Sequence, residues 1–283
     1  MDVALVSCRE LPEPDPDAAP LARSLAAAGI DARVLAWDDA RADWGEARLA
    51  VLRSCWNYPL APDAFLAWAE ATSRRTILCN TIEVVRWNLH KRYLLELERA
   101  GVPVVPTELV SRGASTSLHD IIARRGWQEF VIKPAISAAS FRTRRYSAAT
   151  LADGDAHLRA LVSLGDALVQ QYLRSIEHHG ERALVWIDGA LTHSVRKSPR
   201  FEGDNECVSE AVPFSAAEAE LARRAVAAPG LPLAYARVDT APDERGRPLV
   251  MELELMEPSL FLAQNPAALE RFVRAIAARL EAR

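Results

Sequence analysis

Several features that often reveal a protein's chemistry are scarce in this chain of 283 residues. There are four cysteines and six histidines, and no two cysteines form a CxxC pair. Because Cys8, Cys55, Cys79 and Cys207 are widely spaced, we expect reduced thiols rather than a zinc site, and a reducing cytoplasm as the compartment. There is no GxSxG motif, and no Ser/His/Asp arrangement is distinguishable. Covalent catalysis by the protein is therefore not indicated.

Long apolar runs are missing as well. The run at residues 3–8 is much too short for the hydrophobic region of a signal peptide, and no stretch approaches the roughly 20 apolar residues of a membrane span. The formal net charge of −4 argues against a general affinity for nucleic acid, which needs a clustered cationic surface. We therefore expect neither a membrane nor a nucleic acid as a partner.

Two glycine-rich nucleotide motifs are also absent. Neither GxxxxGK[ST] nor GxGxxG occurs among the 12 glycines of the chain. A P-loop or a dinucleotide fingerprint cannot be the source of nucleotide binding. Any bound phosphates must be held by another device.

The apolar half of the residues follows a pattern typical of an α/β protein with two or three lobes. The first lobe, residues 1–85, is expected to hold a mostly parallel sheet with helices, and residues 11–20 are expected to form a surface loop. Its predicted strands are 3–8, 32–37, 49–54 and 76–80, with one helix around Leu21 and Leu25 and another from Pro62.

The remaining chain alternates helices with strands and hairpins, which indicates an α+β arrangement. We place a central lobe at residues 86–170 and a C-terminal lobe at 171–283. A helix at about 84–100 is expected to end at Gly101, followed by a strand at 102–110. Further strands are predicted at 129–134 and 167–173, hairpins at 181–198 (turning at Asp188-Gly189) and 233–255, and a final helix from Pro266.

Three carboxylates are expected to meet on the second hairpin. Asp239 lies on one strand, and Glu252 and Glu254 lie two residues apart on the other, hence on one face. Like charges this close repel unless a cation neutralises them, and hard oxygen ligands suit Mg²⁺ bridging nucleotide phosphates. Arg237 points to the same face, where it can stabilise charge on a transferred phosphoryl group. The alternative is an exposed hairpin whose carboxylates face water.

Lys133 follows a run of large apolar residues and precedes a stretch of small ones. From the end of its strand this lysine can reach phosphate oxygens. Ser137 and Ser140 can line the same phosphates without steric obstruction, as glycines do in a P-loop. A strand-end lysine that extends to solvent beside a flexible loop is the alternative.

Other candidates are weaker when taken singly. Residues 167–173 offer a strand whose backbone can pair with an adenine edge, and Glu177 and Glu181 follow closely enough to meet ribose hydroxyls. Lys91 and Lys197 have ordinary explanations as solvated cations of a helix and of a hairpin end.

Together these segments resemble the ATP-grasp superfamily, in which two lobes clasp ATP. The resemblance covers residues 86–262 and implies ATP and one or two Mg²⁺ ions as cofactors, with Mn²⁺ as a substitute. Two departures from the family pattern occur: Glu254 stands where many relatives have asparagine, and the loop AISAASFRT lacks the usual glycines. In order, the matching positions are Lys91, Lys133, the adenine hinge Gln170, Gln171, Tyr172 and Leu173, then Glu181, Lys197, Arg237, Asp239, Glu252 and Glu254.

Within that superfamily the chain is similar to the D-cycloserine synthetase group. The similarity rests on RSCWNYP, RWNLHKRYLLELERAGVPVVPT, FVIKPAISAAS, GERALVWIDGALTHSVRKSP and MELELMEPSLF. It implies phosphorylation of the carboxylate of O-ureido-D-serine and ring closure by a nitrogen of the same molecule, which gains a large effective concentration. Arg53, Trp56 and Asn57 would then face the amino acid, although a buried Trp with an incidental arginine is an equal reading of the sequence.

Two other functions stay open on the sequence. One is an intermolecular carboxylate-amine ligase resembling glutathione synthetase or the ribosomal-protein glutamate ligases. The other is an ATP-grasp protein that binds nucleotide without turnover, which Glu254 in place of asparagine favours. Homo-oligomers are possible, but the sequence does not indicate an oligomeric state.

Overall fold

The first part of the chain forms a four-stranded parallel sheet with the order β2-β1-β3-β4. The computed structural model describes residues 1–204 and 206–282. Strands β1 and β3 are wholly buried, as apolar runs in a parallel sheet predict. This confirms the predicted parallel sheet. Its elements are β1 (Val3–Ser7), α1 (Ala18–Ala27), β2 (Ala32–Ala36), β3 (Leu49–Ser54), α2 (Pro62–Ser73) and β4 (Ile77–Cys79).

The second sheet is antiparallel, with the order β5-β8-β6-β7. Its inner face packs on two helices through a cluster that includes Phe130, Ile132 and Leu158. Helices α3 and α4 precede it in the chain. The elements are α3 (Ile82–Asn88), α4 (Tyr93–Arg99), β5 (Thr107–Val110), α5 (Leu118–Arg125), β6 (Glu129–Pro134), β7 (Arg144–Ser147), α6 (Leu151–Val162) and β8 (Ala167–Gln171).

The third sheet is antiparallel, with the order β11-β10-β9-β12-β13. Both predicted hairpins are present, and Asp188 and Gly189 have the positive φ values that a two-residue turn requires. Among the described residues, no helix has both the length and the apolar character needed to cross a membrane. The elements are β9 (Glu181–Ile187), β10 (Ala190–Lys197), β11 (Val208–Val212), α7 (Ala216–Ala227), β12 (Tyr235–Pro242), β13 (Pro248–Glu254) and α8 (Pro266–Glu281).

The helix predicted at 84–100 is two helices, because residues 88–92 bond to other segments. The Asn88 side chain donates to the carbonyl of Leu253 and accepts from the amide of Leu255, at 2.8 Å each. The Lys91 amide donates to the Ala135 carbonyl at 2.7 Å instead of continuing the helix. Tertiary hydrogen bonds thus break the helix between α3 and α4.

Two other sequence predictions need correction. The strand expected at 102–110 is reduced to β5, because Pro103 and Pro106 lack amide donors. Residues 11–20 are not only a surface loop, since α1 begins at Ala18 and Asp17 is fully buried. The Asp17 carboxylate accepts from the amides of Leu260 and Leu262 at 2.6 and 2.7 Å. A charged residue in a Pro- and Asp-rich segment is therefore part of the interior.

Candidate active site

Most of the predicted site residues meet in one cavity, which both antiparallel sheets and the segment after β3 line. Strands of both antiparallel sheets and the short connections between elements supply the side chains. The predicted residues in its wall are Trp56, Lys91, Lys133, Ser137, Ser140, Gln170, Gln171, Tyr172, Leu173, Glu181, Lys197, Arg237, Asp239, Glu252 and Glu254.

The hairpin of β12 and β13 carries the charged centre of this cavity. Antiparallel pairing sets Arg237 opposite Glu254 and Asp239 opposite Glu252. The alternating residues Val238 and Leu253 are buried in the core, so the charged residues share the other face. Asp239 is 1% exposed, so the alternative of a water-facing hairpin is wrong.

A chain of ion pairs runs across four strands of the third sheet, β10, β9, β12 and β13. The guanidinium of Arg237 donates to both oxygens of Asp239, at 2.9 Å each, and also pairs with Glu254. The ammonium of Lys197 donates to Glu181 at 2.8 Å and to Asp239 at 2.9 Å. Lys197, whose side chain is 11% exposed, is thus a cation held between two carboxylates rather than a solvated hairpin end.

A second charged group forms where the central lobe meets β13. Lys91 and Lys133 both pair with Glu252, with Lys133 Nζ at 3.5 Å from Glu252 Oε2. The break between α3 and α4 brings Lys91 here, and the end of β6 brings Lys133. Both lysines are buried, so the interpretations of a solvated helix face and of a lysine extending to solvent are wrong.

Every lysine of the chain lines this one cavity. The sequence contains only Lys91, Lys133 and Lys197, while arginine supplies its other 31 cationic side chains (34 Lys+Arg minus three). A lysine ammonium is a compact point charge suited to phosphate oxygens. The distribution of lysine therefore concentrates compact positive charges in this one cavity.

Sequence comparison assigns the family. The cycloserine biosynthesis protein DcsG of Streptomyces lavendulae is 35% identical over 283 residues, covering 94% of this chain and 95% of that protein. The chain belongs to the D-cycloserine synthetase family. The model of the D-cycloserine synthetase DcsG N-terminal domain matches residues 3–80.

Structural comparison agrees with this family and confirms the predicted fold. The crystal structure of D-cycloserine synthetase DcsG matches with a TM-score of 0.92 at 33% identity, covering 99% of this chain and 100% of that one. The structure of the ATP-grasp ligase PsnB complexed with minimal precursor, Mg and ADP matches with a TM-score of 0.66, at 19% identity and 98% and 97% coverage. The D-cycloserine synthetase family member described here is therefore a ligase with the ATP-grasp fold.

The carboxylates of this family member differ sharply in their affinity for protons. Burial, and then the neighbouring Asp239, raise the pKa of Glu181 and of Glu254 to about 7, although Lys197 and Arg237 oppose the rise. Burial has the same tendency at Asp239, but Arg237 and Lys197 outweigh it and hold the pKa of Asp239 below its usual range. Three carboxylates face two cations here, so one negative charge is left over. The raised pKa values of the two outer carboxylates, Glu181 and Glu254, reflect this surplus of negative charge.

The lysine group behaves differently because it holds two cations and one carboxylate. Against the effect of burial, Lys91 and Lys133 lower the pKa of Glu252 to about 2. Burial lowers the pKa of Lys133, and the adjacent Lys91 lowers it further. The surplus of positive charge in this group favours an anion.

The carboxylates fit Mg²⁺ by their chemistry, since all three supply hard oxygen ligands. Their oxygens are bonded to Lys and Arg side chains in this structure. Within residues 1–204 and 206–282, no three His, Cys, Asp or Glu side chains form a ready metal site. Binding of Mg²⁺ by Asp239, Glu252 and Glu254 thus requires some of these ion pairs to open.

The loop after β6 adopts an unusual backbone for a segment without glycine. Ala139, Ser140 and Arg142 have φ values of 48°, 56° and 50°, in the left-handed region that glycine normally occupies. Its position is fixed from outside, because the Tyr58 hydroxyl donates to the Ser137 carbonyl at 3.1 Å. The loop reproduces without glycines a conformation that glycine would supply.

The predicted adenine hinge has free backbone groups at its end. The amides of Gln171 and Tyr172 donate to the carbonyls of Pro106 and Glu129, at 2.9 and 3.0 Å. In the described part of the chain, neither the Tyr172 carbonyl nor the Leu173 amide has a hydrogen-bond partner. An acceptor and a donor are thus available at the cavity wall.

Three predicted residues do not line the cavity, and each of them bonds to another side chain of the protein. Arg53 is buried against Asp17, at 3.0 Å. Asn57 bonds to Trp37 at 2.6 Å and to Asp38 at 2.8 Å. Glu177 accepts from the Tyr172 hydroxyl and pairs with Arg145, at 3.2 and 2.8 Å. These assignments to the substrate and the ribose do not match the positions of the residues.

Two further residues that line the cavity, Arg200 and Glu257, were not predicted from the sequence. Arg200 bonds to Glu13 at 3.1 Å and to the carbonyl of Ala139 at 3.4 Å, so it joins three loops. No local pattern signals a pair 187 residues apart. Glu257 also lines the cavity, and its signal was the third acidic residue of MELELMEP, just past the alternating strand.

Proposed function

We propose that this protein is a Mg-ATP-dependent ligase that closes O-ureido-D-serine to D-cycloserine, with ADP and phosphate as products. The observation that carries the proposal is the convergence of Lys91, Lys133, Lys197 and Arg237, from four separate segments, in one cavity. Cations so placed suit a triphosphate and an acyl phosphate. The 35% identity to DcsG along nearly the whole chain supports the substrate.

The cavity wall supports a specific arrangement of ATP. Lys91 and Lys133 bind phosphate oxygens, with Ser137 and Ser140 beside them. The free carbonyl of Tyr172 and amide of Leu173 pair with the adenine edge, and Glu181 meets the ribose.

Asp239, Glu252 and Glu254 would hold Mg²⁺, which neutralises charge on the phosphates when bound. One or two ions, with Mn²⁺ as a substitute, belong to the same proposal. The division of the chain at about residues 85 and 170 and a cytoplasmic location also remain proposals.

The chemistry proceeds in two displacements. A carboxylate oxygen of the substrate attacks the γ-phosphorus, and the bond to ADP breaks. The ureido nitrogen bonded to oxygen then attacks the acyl carbon, phosphate leaves, and the ring closes. Arg237 and Lys197 stabilise the charge that develops on the transferred group. D-Cycloserine lacks the carbamoyl group of the substrate, so atom balance requires its hydrolysis to carbon dioxide and ammonia as well.

The decisive experiment incubates the purified protein with ATP, Mg²⁺ and O-ureido-D-serine, beside a panel of amino acids. We expect ADP, phosphate and ammonia in equal amounts, and a product with the mass of D-cycloserine. An amide joined from two substrates would instead identify an intermolecular ligase. Nucleotide binding, read as a thermal shift at millimolar Mg²⁺, without product from any substrate would identify a non-catalytic protein.

A further inference from the structure

Glu257 stands apart from the other carboxylates of the cavity. Its side chain is buried, with 6% of the residue exposed, and it lines the cavity. In the part of the chain that the structure describes, no Lys, Arg or His nitrogen lies within 4.0 Å of its carboxylate. The other acidic residues of the wall all have a cationic partner within that distance: Glu13, Glu181, Glu206, Asp239, Glu252 and Glu254.

The segment that carries Glu257 is held firmly from two sides. The indole of Trp56 donates to the Glu257 carbonyl at 2.9 Å, and Asp17 accepts the amides of Leu260 and Leu262. Arg237 donates to the carbonyl of Ser259 at 3.3 Å, so the segment borders the phosphoryl-transfer end of the cavity. The carboxylate is therefore a fixed feature of the wall near the reacting groups.

A buried carboxylate without a cationic partner is costly, because no opposite charge offsets the water it has lost. The hydroxyl of its polar neighbour Tyr58 donates to the Ser137 carbonyl at 3.1 Å, and Tyr58 and Lys91 only partly offset the effect of burial on the pKa of Glu257. Burial first, and then the nearby Glu254, raise the pKa of Glu257 to about 8. A ligand with a positive charge would therefore stabilise the ionised carboxylate of Glu257.

The surroundings favour an organic cation over a metal ion. Trp56, Tyr58 and Met256 line the same wall and supply aromatic and apolar surface. Mg²⁺ needs near-octahedral oxygen ligands, whereas an ammonium is satisfied by one carboxylate and is attracted by aromatic faces.

We propose that Glu257 binds the α-ammonium of the amino-acid substrate and so fixes the orientation of its carboxylate toward the phosphoryl donor. This role rests on the proposed function. Glu257 would then contact the substrate directly and determine its specificity, on the side of the cavity where Trp56 lies.

The test compares two substrates in two proteins. One substrate is O-ureido-D-serine, and the other is its analogue with hydrogen in place of the α-amino group. In the unaltered protein we expect kcat/KM, measured by ADP release, to favour the amine-bearing compound by roughly 100-fold or more. In Glu257→Gln the preference should fall below about tenfold, while the KM for ATP stays within about twofold, because the amide keeps the shape and loses the charge.

Glu108→Gln is the matched control, because Glu108 pairs with Arg124 and Arg125 outside the cavity and should leave the preference unchanged. An unchanged preference in Glu257→Gln, or a raised Mg²⁺ requirement in its place, would overturn the role. The unaltered protein gives an independent answer, since equal kcat/KM for the two compounds refutes ammonium recognition. If it converts neither compound while ATP is present, the proposed function fails and this role fails with it.

Discussion

Both oxygens of the Asp239 carboxylate accept hydrogen bonds from the guanidinium of Arg237, although the two residues lie only two positions apart on one strand. The fork geometry fixes the plane of the guanidinium, and contacts with Glu254 and the Ser259 carbonyl fix it further. Arg237 is thus set in place before any ligand arrives. Such preorganisation is what electrostatic catalysis requires.

Asp239→Asn should separate catalysis from stability. The change removes a partner from Arg237 and Lys197, and we expect ATP-coupled product formation to fall by roughly 100-fold or more. Two carboxylates then face two cations, so the free energy of unfolding should fall by only about 2 kcal/mol. Steady-state kinetics and urea unfolding measure the two effects. Full activity in this variant would contradict the site assignment.

Lys133→Ala should abolish coupled ATP hydrolysis while the protein stays folded, because Lys91 still pairs with Glu252. Lys133→Arg should not restore activity, since a planar guanidinium does not fit where a buried ammonium serves as a point charge. Arg33→Ala, which opens an exposed pair with Asp31, is the control expected to behave like the unaltered protein. Recovery of activity by Lys133→Arg would show that charge alone suffices.

The stability of the ligand-free protein should depend on Glu257 and pH together. Its pKa is about 8 in the folded state and near 4.5 when unfolded, so only the folded state holds the proton between these values. This contribution is present below about pH 4.5 and is lost as pH rises toward 8. Between pH 5.5 and 7.5, the free energy of unfolding of the unaltered protein should fall relative to that of Glu257→Gln, by at most about 1.4 kcal/mol per pH unit. Unfolding experiments at several pH values measure this difference. Parallel profiles would refute the raised pKa.

Asn80→Ala should weaken the junction between the first and third sheets. The buried Asn80 donates to the carbonyls of Tyr235 and Leu255, at 2.9 and 2.7 Å, and accepts from the amide of Ala234 at 2.6 Å. Its loss leaves buried polar groups unpaired, and we expect a cost of about 2–4 kcal/mol. Asn265→Ala, which removes the cap of α8, should cost about 1 kcal/mol. If chemical denaturation showed the same loss of unfolding free energy in both variants, Asn80 would have no special role in joining the two sheets.

The parts of the molecule that periodicity governs were predictable. Alternation in residues 233–255 predicts the hairpin and places Arg237, Asp239, Glu252 and Glu254 on one face, as the pairing of β12 with β13 confirms. Apolar runs predicted the parallel strands of the first sheet. The composition contains one further indication of the site. The chain has only three lysines beside 31 arginines, and all three line the cavity.

The errors occurred where a distant partner decides the role of a residue. Arg53 has a position compatible with substrate binding, but its partner Asp17 lies in a segment that reads as a loop. The break between α3 and α4 depends on bonds from Asn88 to β13 and the residue after it, which helix propensity does not reveal. Side chains that bond to residues distant in the sequence, 36 positions away for Arg53 and 165 for Asn88, form no local pattern that a sequence reveals.

The buried pair of Asp17 and Arg53 has a consequence for engineering this ligase. Asp17 joins the start of α1 to the segment around Leu260, and that segment carries Glu257. A chimera that takes its first lobe from another enzyme must therefore supply both an acidic residue and an arginine at these places. Without them, the amides of Leu260 and Leu262 would lose their hydrogen-bond acceptor, and the segment that carries Glu257 would no longer be held in place.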